Sequence, residues 1–437
     1  MDLFDALGPD VGRELAERRD AVPAHYFVGR EAVTQLASQL AAEHPGQRVG
    51  LVADARTMAV AGDDCAARLG EAGLGVHAHT VPDVAGHPPA CDDTTLAALE
   101  AALPAVDVVV GVGSGVINDL SKWLATERGC PSAIVATAAS MNGYAAANIA
   151  PAVGGVKTLV RGCAHRVIAA DPAVLAAAPA EMTAAGLGDV IAKAVSTADW
   201  RINDMLFGEG YSAAVAGIID RVERRFLADP AQLARGSHEA VSALLDALVY
   251  SGCAMTLQGS SMPASGGEHL ISHALDMRAM AEGIDHDLHG RQVGVATIFV
   301  AALYARALSH EAPPARTAPL PLDRRAWGSI ADEVAAHHAK QGARLAQAVD
   351  ALAAPGMWQR VREAATPMVP SPEWVKGVLS AAGAAHRISD LGIDRERFRW
   401  AVLNGAQIRE RFTSLDLAWA TGVLPDAVDD IIDAYLL

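Results

Sequence analysis

Short apolar runs alternate with helical patterns over roughly the first 170 residues of the chain. Residues 49–53, 106–112, 133–136 and 166–170 are apolar almost throughout, which is typical of parallel strands covered on both faces. Residues 76–81 include two histidines and are predicted to form an edge strand. Apolar positions at helical spacing separate these strands, for example at 30–43 and 60–70. This rhythm predicts a doubly wound sheet, whose ligand crevice lies beyond the carboxyl ends of its strands.

The pattern changes after residue 172. From about residue 179 onward the chain contains long alanine-rich helical patterns, such as 240–249, 292–308 and a run that includes 345–352. Ser237 is a suitable cap for the first of them. The sequence therefore predicts an α/β domain with a parallel sheet over residues 1–172 and an all-α domain over residues 173–437.

Charge and cysteine content narrow the classes of function. The 437 residues include 35 Lys and Arg against 51 Asp and Glu, a formal net charge of −16. Without a basic cluster, such a chain is not expected to bind nucleic acid. Five scattered cysteines without C-x-x-C spacing are typical of a reducing cytosol. The longest apolar stretch, 293–305, is too short to cross a bilayer. We expect a soluble cytoplasmic protein without membrane insertion.

A glycine turn follows the predicted strand 106–112. Gly113, Ser114 and Gly115 lead into a helix that begins near Val116, where backbone N–H groups could receive a pyrophosphate. The third glycine of a Rossmann fingerprint is displaced, and a tight turn explains the motif equally well. Asp54 follows the strand 49–53, where a carboxylate can bind an adenosine ribose or simply remain a solvated loop residue.

Two further segments carry candidate metal ligands. Asp189 and Lys193 lie one helical turn apart, which suits a carboxylate ligand beside a cationic substrate holder or an ordinary ion pair. His269 and His273 share a helical face, and His289 precedes the next apolar helix. Two imidazoles and one carboxylate from separate helices can form a three-ligand divalent site with an open position, although core or surface histidines remain the alternative. Neither H-E-x-x-H nor G-x-S-x-G occurs in the chain.

In combination, these and other segments resemble the sn-glycerol-1-phosphate dehydrogenases, within the iron-containing alcohol dehydrogenase, glycerol dehydrogenase and dehydroquinate synthase superfamily. The resemblance extends over residues 26–424 and rests on six segments in order: GVGSGVINDLSKWLA, TAASMNGYAAA, EMTAAGLGDVIAKAVSTADW, SMPASGGEHLISH, LHGRQVGVAT and IRERFTSLDLA. It implies that the α/β domain over residues 1–172 binds a dinucleotide, that the helical domain over residues 173–437 binds metal and substrate, and that the active site lies in the cleft between them.

The resemblance also implies roles for individual residues. It makes Asp189, His269 and His289 the metal ligands, and makes His273 a neighbour that relays a proton. The predicted cofactor-binding residues are Asp54, Gly113, Ser114, Gly115, Asp119, Thr137 and Ser140. The predicted substrate-binding residues are Asn142, Lys157 and Lys193. Lys193 stands where iron-dependent relatives place a fourth ligand, a histidine, which favours Zn²⁺ over Fe²⁺, with Ni²⁺ as another alternative.

One position departs from the family pattern. The family reads S-x-D-G where this chain has Ser140, Met141, Asn142 and Gly143. Asparagine retains the size of aspartate but removes its charge, which favours a more anionic or differently hydroxylated substrate.

The function expected from this resemblance is metal-dependent, NAD- or NADP-linked hydride transfer that interconverts a small polyol phosphate and its ketone, such as sn-glycerol 1-phosphate and dihydroxyacetone phosphate. A homo-oligomer is also expected. One alternative is a dehydroquinate-synthase-like lyase or cyclase that uses NAD transiently. Another is a catalytically silent homologue that binds the cofactor.

Overall fold

The computed structural model describes residues 2–43, 45–84, 86–154 and 156–437, without the side chains of residues 156–157 and 221–226. The chain forms two compact units that are interleaved along the sequence. Unit 1 comprises residues 1–186 and 214–260, and unit 2 comprises residues 187–213 and 261–437. The division follows packing, whereas the boundary at residue 172 was predicted from local pattern and stays a prediction.

Six parallel strands form the sheet of unit 1, in the order β1, β10, β5, β4, β2, β3. All strands lie between residues 25 and 170, and their bounds are β1 (His25–Val28), β2 (Arg48–Asp54), β3 (Gly75–Val81), β4 (Val108–Gly113), β5 (Ser132–Ala136), β6 (Asn148–Ile149), β7 (Ala152–Val153), β8 (Val156–Lys157), β9 (Val160–Arg161) and β10 (Val167–Ala170). The predicted parallel sheet is confirmed, with β3 at one edge as expected. Sequence analysis missed β1, a four-residue strand at the opposite edge.

Helices make up most of the remaining structure. Their bounds are α1 (Leu3–Ala6), α2 (Pro9–Glu14), α3 (Ala32–Glu43), α4 (Ala55–Thr57), α5 (Asp63–Glu71), α6 (Asp93–Ala102), α7 (Gly115–Arg128), α8 (Pro172–Ala177), α9 (Ala180–Ile191), α10 (Lys193–Phe207), α11 (Ala213–Leu227), α12 (Ala231–Ala234), α13 (His238–Gln258), α14 (Gly267–Glu282), α15 (His289–Leu308), α16 (Arg324–Trp327), α17 (Ala331–Leu352), α18 (Met357–Ala365), α19 (Pro372–Ala381), α20 (Arg395–Asn404), α21 (Ser414–Ala420) and α22 (Val428–Tyr435). Beyond residue 170 the described chain contains no strand, as the predicted all-α region requires.

Helices cover both faces of the sheet in unit 1. The apolar side chains of α3 and α5 pack on one face, against alternate residues of β2 and β4. Those of α6 and α7 pack on the other face, against the intervening residues of the same strands. Because α5 follows β2 and α7 follows β4, adjacent strands are followed by helices on opposite faces. This arrangement creates a crevice at the carboxyl ends of β2 and β4.

Helix α13 belongs to unit 1 because it packs closely on residues 142–146. A Cβ added at Gly252 would lie 2.4 Å from the carbonyl oxygen of Asn142, so only glycine permits this approach. Ser237 caps the helix as predicted, accepting a hydrogen bond from the backbone N–H of Ala240 at 3.4 Å.

Two helices of the described chain are long and apolar enough to cross a membrane, by length and composition alone. They are α13, whose apolar window is 72% buried, and α15, whose window is 83% buried. Such burial is typical of core helices in soluble proteins, although α15, which contains the apolar stretch 293–305, is longer than that stretch.

Candidate functional site

The glycine turn of unit 1 connects the end of β4 to the start of α7. A Cβ at Gly113 would lie 2.6 Å from the Cβ of Ile117, so the turn requires glycine there. At Gly115 a Cβ would meet no atom within 4 Å. The side chain of Ser114 forms no capping hydrogen bond with α7, so it does not occupy the N–H groups at the start of this helix. This turn fits a pyrophosphate group.

Asp54 ends β2, beside the glycine turn, since Ala53 pairs with Val112 on β4. Its Oδ1 atom accepts hydrogen bonds from the backbone N–H groups of Arg56 at 2.8 Å and Thr57 at 2.9 Å. All the hydrogen bonds of this carboxylate within the described chain involve Oδ1. Oδ2 is therefore the oxygen that suits a ribose hydroxyl. Arg56 forms a two-pronged ion pair with Asp83, at 2.9 and 3.0 Å.

Other predicted cofactor and substrate residues lie in the segment that follows β5. The backbone N–H of Thr137 donates to the carbonyl of Gly113 at 3.2 Å, which ties this segment to the turn. Ser140 forms a hydrogen bond with the buried phenol of Tyr144. The side-chain amide of Asn142 lies 3.5 Å from the hydroxyl of Ser251.

Asp119 and Lys157 lie outside the segment that follows β5: Asp119 is on α7 and Lys157 is on β8. The carboxylate of Asp119 accepts hydrogen bonds from the Asn118 amide at 2.8 Å and the Ala150 N–H at 3.0 Å. It also lies 3.3 Å from Nζ of the buried Lys122. These contacts tie α7 to the segment after residue 147. The side chain of Lys157, a predicted phosphate ligand, lies outside the described part of the structure.

Unit 2 brings together the three predicted metal ligands. One ligand atom from each of Asp189, His269 and His289 lies within 4.8 Å of the other two. The residues come from α9, α14 and α15. Asp189 and His269 are buried, and His289 is half-buried. Two imidazoles and a carboxylate at this separation can bind a divalent ion and leave a position for substrate.

Glycines allow two of these helices to approach so closely. A Cβ at Gly188 would lie 2.0 Å from the carbonyl oxygen of Gly290, so α9 and α15 are in backbone contact at this point. Gly188 precedes Asp189 and Gly290 follows His289. The close contact therefore places one ligand beside the other.

Hydrogen bonds orient both imidazoles. Nδ1 of His269 lies 2.7 Å from Oε1 of Glu268, and a carboxylate there accepts the ring N–H. Nδ1 of His289 lies 2.9 Å from the Ser272 hydroxyl, which itself donates to Oε1 of Gln292 at 2.8 Å. Since the serine proton is engaged, His289 is the donor. Both histidines therefore present the Nε2 lone pair, as metal ligands do.

A lysine accompanies the carboxylate ligand. Nζ of Lys193 lies 3.6 Å from Oδ1 of Asp189 and donates to the carbonyl of Ala264 at 3.0 Å. Burial alone would raise the pKa of Asp189, but the charge of Lys193 and the His269 contact hold it below its usual range. Burial lowers the pKa of Lys193, against the opposing effect of Asp189. Asp189 is thus held as the carboxylate that a metal ligand must be.

Nε2 of His269 faces Oδ1 of Asp189 at 3.3 Å. Burial would lower the pKa of His269, yet its bonds to Asp189 and Glu268 outweigh burial and raise it. Two electron-rich atoms at this distance need a proton or a metal ion between them. The donor set and its orientation therefore fit a divalent metal.

The ring of His273 lies beside this cluster. Its ring is stacked on that of His289, with centroids 5.1 Å apart, and its centroid is 6.2 Å from that of His269. His273, Asp276 and His289 also form a second group whose ligand atoms lie within 4.8 Å of one another.

Sequence analysis missed the residues that orient the ligands: Glu268, Ser272 and Gln292. Each is buried, and Ser272 and Gln292 each lie three residues after a ligand histidine. Polar residues on the otherwise apolar faces of α14 and α15 were the available signal, because buried polar side chains need partners.

Comparisons with known proteins place the chain in a family. The iron-containing alcohol dehydrogenase family matches residues 27–179. The glycerol-1-phosphate dehydrogenase [NAD(P)+] of Bacillus subtilis strain 168 is 33% identical over 280 residues, covering 64% of this chain and 71% of that protein. The enzyme of the same name from Bacillus velezensis is 28% identical over 368 residues, 84% of each chain.

Solved structures support the same fold. Glycerol dehydrogenase from Schizosaccharomyces pombe superposes with a TM-score of 0.63 at 16% identity, covering 95% of this chain and 92% of that one. The identity and coverage of the Bacillus subtilis relative establish membership independently of the fold. The chain belongs to the glycerol-1-phosphate dehydrogenase family, within the iron-containing alcohol dehydrogenases.

Proposed function

We propose that the protein is a metal-dependent, NAD(P)-linked dehydrogenase that interconverts a small polyol phosphate and its ketone. sn-Glycerol 1-phosphate and dihydroxyacetone phosphate are the proposed pair. The observation that carries the proposal is the group of Asp189, His269 and His289, whose ligand atoms lie within 4.8 Å of one another. The chain that holds this group is 33% identical over 280 residues to the glycerol-1-phosphate dehydrogenase of Bacillus subtilis.

Unit 1 would bind the cofactor. The N–H groups at the start of α7 would bind its pyrophosphate, with Gly115 leaving room for the phosphate oxygens. Oδ2 of Asp54 would accept a ribose hydroxyl, which favours NAD, whereas a 2′-phosphate would meet that carboxylate. Thr137 and Ser140 are proposed to lie beside the nicotinamide half, and Asp119 to support the turn through α7. The cofactor, when bound, supplies or accepts the hydride.

Unit 2 would bind the metal through Asp189 and the Nε2 atoms of His269 and His289. A divalent ion, for which Zn²⁺ is proposed, acts when bound as a Lewis acid toward the reacting oxygen of the substrate. Lys193 keeps Asp189 ionised. The chain would thus present a fixed anionic ligand and two fixed imidazoles with little reorganisation during the reaction.

His273 is the proposed proton carrier. Its half-buried ring is stacked on His289, so it can exchange a proton with solvent while remaining beside the ligand group. An imidazole can both accept and donate a proton through its two ring nitrogens, as this role requires.

Substrate choice would depend on Asn142 and on cations for the phosphate. Lys193 and Lys157 are the proposed phosphate partners, and the neutral amide of Asn142 would tolerate a more anionic substrate than aspartate would. We expect Asn142→Asp to change the ratio of kcat/KM values for phosphorylated and unphosphorylated ketones.

A spectrophotometric assay tests the proposal. Metal-stripped protein is reloaded with Zn²⁺, Ni²⁺ or Fe²⁺ and assayed for oxidation of NADH and NADPH with dihydroxyacetone phosphate, dihydroxyacetone and other ketose phosphates. We expect metal-dependent oxidation that is fastest with a phosphorylated ketone. Absence of turnover across the panel with metal-loaded, cofactor-binding protein would support a silent binding protein instead. Consumption of a substrate without net change in nicotinamide absorbance would indicate the lyase or cyclase alternative.

A cytoplasmic location, which the five scattered cysteines support, and a homo-oligomer, which the family resemblance supports, complete the proposal. Light scattering coupled to size-exclusion chromatography measures the mass of the particle against the 45.3 kDa of one chain.

A further inference from the structure

The side chain of Glu268 lies entirely within unit 2, with an exposed fraction of 0%. Its Oε1 atom accepts two hydrogen bonds, from Nδ1 of His269 at 2.7 Å and from the backbone N–H of Gly266 at 2.9 Å. Within the described chain its Oε2 atom has no hydrogen-bond partner. Burial of a carboxylate is costly, so the contact with His269 is a feature that the surrounding structure must maintain.

The neighbours of Glu268 hold it in this position. A Cβ at Gly266 would lie 2.9 Å from Oε2 of Glu268 and 2.4 Å from Oδ2 of Asp199. Asp199 in turn accepts hydrogen bonds from the backbone N–H groups of Gly267 at 2.8 Å and Ser414 at 2.7 Å, and from the hydroxyl of Tyr304. The turn that leads into α14 is therefore fixed on both sides, and Glu268 has little freedom to leave His269.

The contact between Glu268 and His269 also changes the net charge around the ligand group. Lys193 balances the charge of Asp189, so these two side chains together offer no net negative charge to a divalent ion. Glu268 supplies one further negative charge, hydrogen-bonded to the far nitrogen of a ligand imidazole. A carboxylate in that position fixes the imidazole tautomer and makes the ligand nitrogen a stronger donor.

We propose that Glu268 is a positioning residue for the metal site, which sets the tautomer and donor strength of His269. This role rests on one part of the proposed function, the binding of a divalent metal by the three ligands, and does not depend on which substrate is used. The chain's three ligands then each have one buried partner: Glu268 for His269, Ser272 for His289, and Lys193 for Asp189.

The affinity for Zn²⁺ tests this role without any assay of activity. Metal-stripped protein is titrated with Zn²⁺ in competition with a chromogenic chelator. Glu268→Gln keeps an oxygen that can accept from His269 but removes the charge, and Glu268→Ala removes both. We expect the Zn²⁺ dissociation constant to rise roughly tenfold in the first variant and roughly a hundredfold in the second.

Asp416→Asn is the matched control. Asp416 is also a buried carboxylate of unit 2, bonded to the N–H of Thr413 at 2.8 Å and to no predicted metal ligand. The Asp416→Asn substitution is expected to lower the free energy of unfolding and to leave the Zn²⁺ affinity within threefold of wild type. Urea unfolding of each metal-free variant separates lost stability from lost affinity.

Zn²⁺ affinity within threefold of wild type in both Glu268 variants would overturn the proposal. If Glu268→Ala fails to fold, the volume-conserving Glu268→Gln decides on the same criterion. Failure of the proposed function is distinguishable. The proposed function fails if the wild-type protein binds Zn²⁺ but turns over no ketone, or if it binds no Zn²⁺ at all. The Glu268 role fails if the wild-type protein binds Zn²⁺ and turns over a ketone normally while the Glu268 variants keep the same Zn²⁺ affinity.

Discussion

The glycine turn of unit 1 and the ligand cluster of unit 2 are built in different ways. The turn offers backbone N–H groups and empty space, and the acid beside it, Asp54, already uses one oxygen to cap α4. The cluster offers side-chain atoms, each held by a second buried side chain, as Glu268 holds His269. Backbone N–H groups supply the binding atoms of the first site, whereas side chains oriented by hydrogen bonds supply those of the second.

The two constructions differ in what a substitution can change. A residue of the turn can gain a side chain without losing the hydrogen bonds that shape the turn, provided that space is available. A residue of the cluster cannot be removed without leaving a buried partner unpaired, which is costly. We therefore expect large effects at the cluster and smaller, separable effects at the turn.

The largest effect is expected from loss of a ligand imidazole. His269→Ala or His289→Ala should abolish retention of metal and lower kcat/KM by roughly three or more orders of magnitude, because the Lewis acid is lost. Metal analysis after gel filtration and the NAD(P)H assay measure the two effects. His310→Ala, at an exposed position of unit 2, is the control. Stoichiometric metal and near-normal turnover in both ligand variants would contradict the assignment.

Lys193→Met removes the partner of the ligand carboxylate. Nζ of Lys193 is committed to Asp189 and to a backbone carbonyl, so we expect kcat to fall on the order of a hundredfold. The inhibition constant of inorganic phosphate measures its other proposed role, as a phosphate partner. If the inhibition constant of phosphate is unchanged, Lys193 serves only to hold Asp189. If that constant rises tenfold while kcat stays normal, Lys193 binds the phosphate of the substrate instead. Lys340→Met, which removes an exposed ion pair with Glu410, is the control.

Two substitutions within the glycine turn sharpen the contrast. Gly115→Ala adds a methyl group that meets no protein atom, so stability should be retained while the dissociation constant for NAD(P)H rises roughly tenfold, about 1.4 kcal/mol. Gly113→Ala would collide with Ile117, and both stability and cofactor binding should fall. Thermal unfolding and fluorescence titration measure the pair. Normal cofactor affinity in Gly115→Ala would exclude this turn as the pyrophosphate site.

The same contrast explains what the sequence could predict. Buried parallel strands produce continuous apolar runs, so four central strands and the edge strand β3 were found, but β1 is only four residues long and its HYFV pattern carries little signal. Helical spacing placed His269 and His273 on one face of α14, whereas the grouping of His269 with Asp189 and His289 came from the family resemblance, because these three residues lie on separate helices. Neither the packing of α13 within unit 1 nor the contact between Glu268 and His269 follows from local pattern, since both depend on tertiary packing.

The last expected effect is on stability alone and concerns the buried carboxylate of Asp199, which accepts a hydrogen bond from the first residue of α14. Burial and the charge of Glu268 raise the pKa of Asp199 to about 8, from an ordinary value of 3.8. The folded state therefore holds this proton more tightly than the unfolded state does. The contribution of Asp199 to the free energy of unfolding is greatest below pH 3.8 and is lost as the pH rises toward 8.

Asp199→Asn cannot ionise, so it removes this pH dependence while weakening the acceptor for Gly267. Urea unfolding of metal-free wild type and variant from pH 5.5 to 8.5 measures the difference. We expect the wild-type advantage to shrink as the pH rises, by no more than about 1.4 kcal/mol per pH unit, the limit for one titrating proton. A difference that stays constant over this range would mean that Asp199 is ionised throughout. The turn before His269 would then be held by two buried carboxylates, those of Asp199 and Glu268. The metal cluster would in that case depend on buried charge even more than it does with Glu268 alone, in contrast to the glycine turn, which depends on backbone N–H groups.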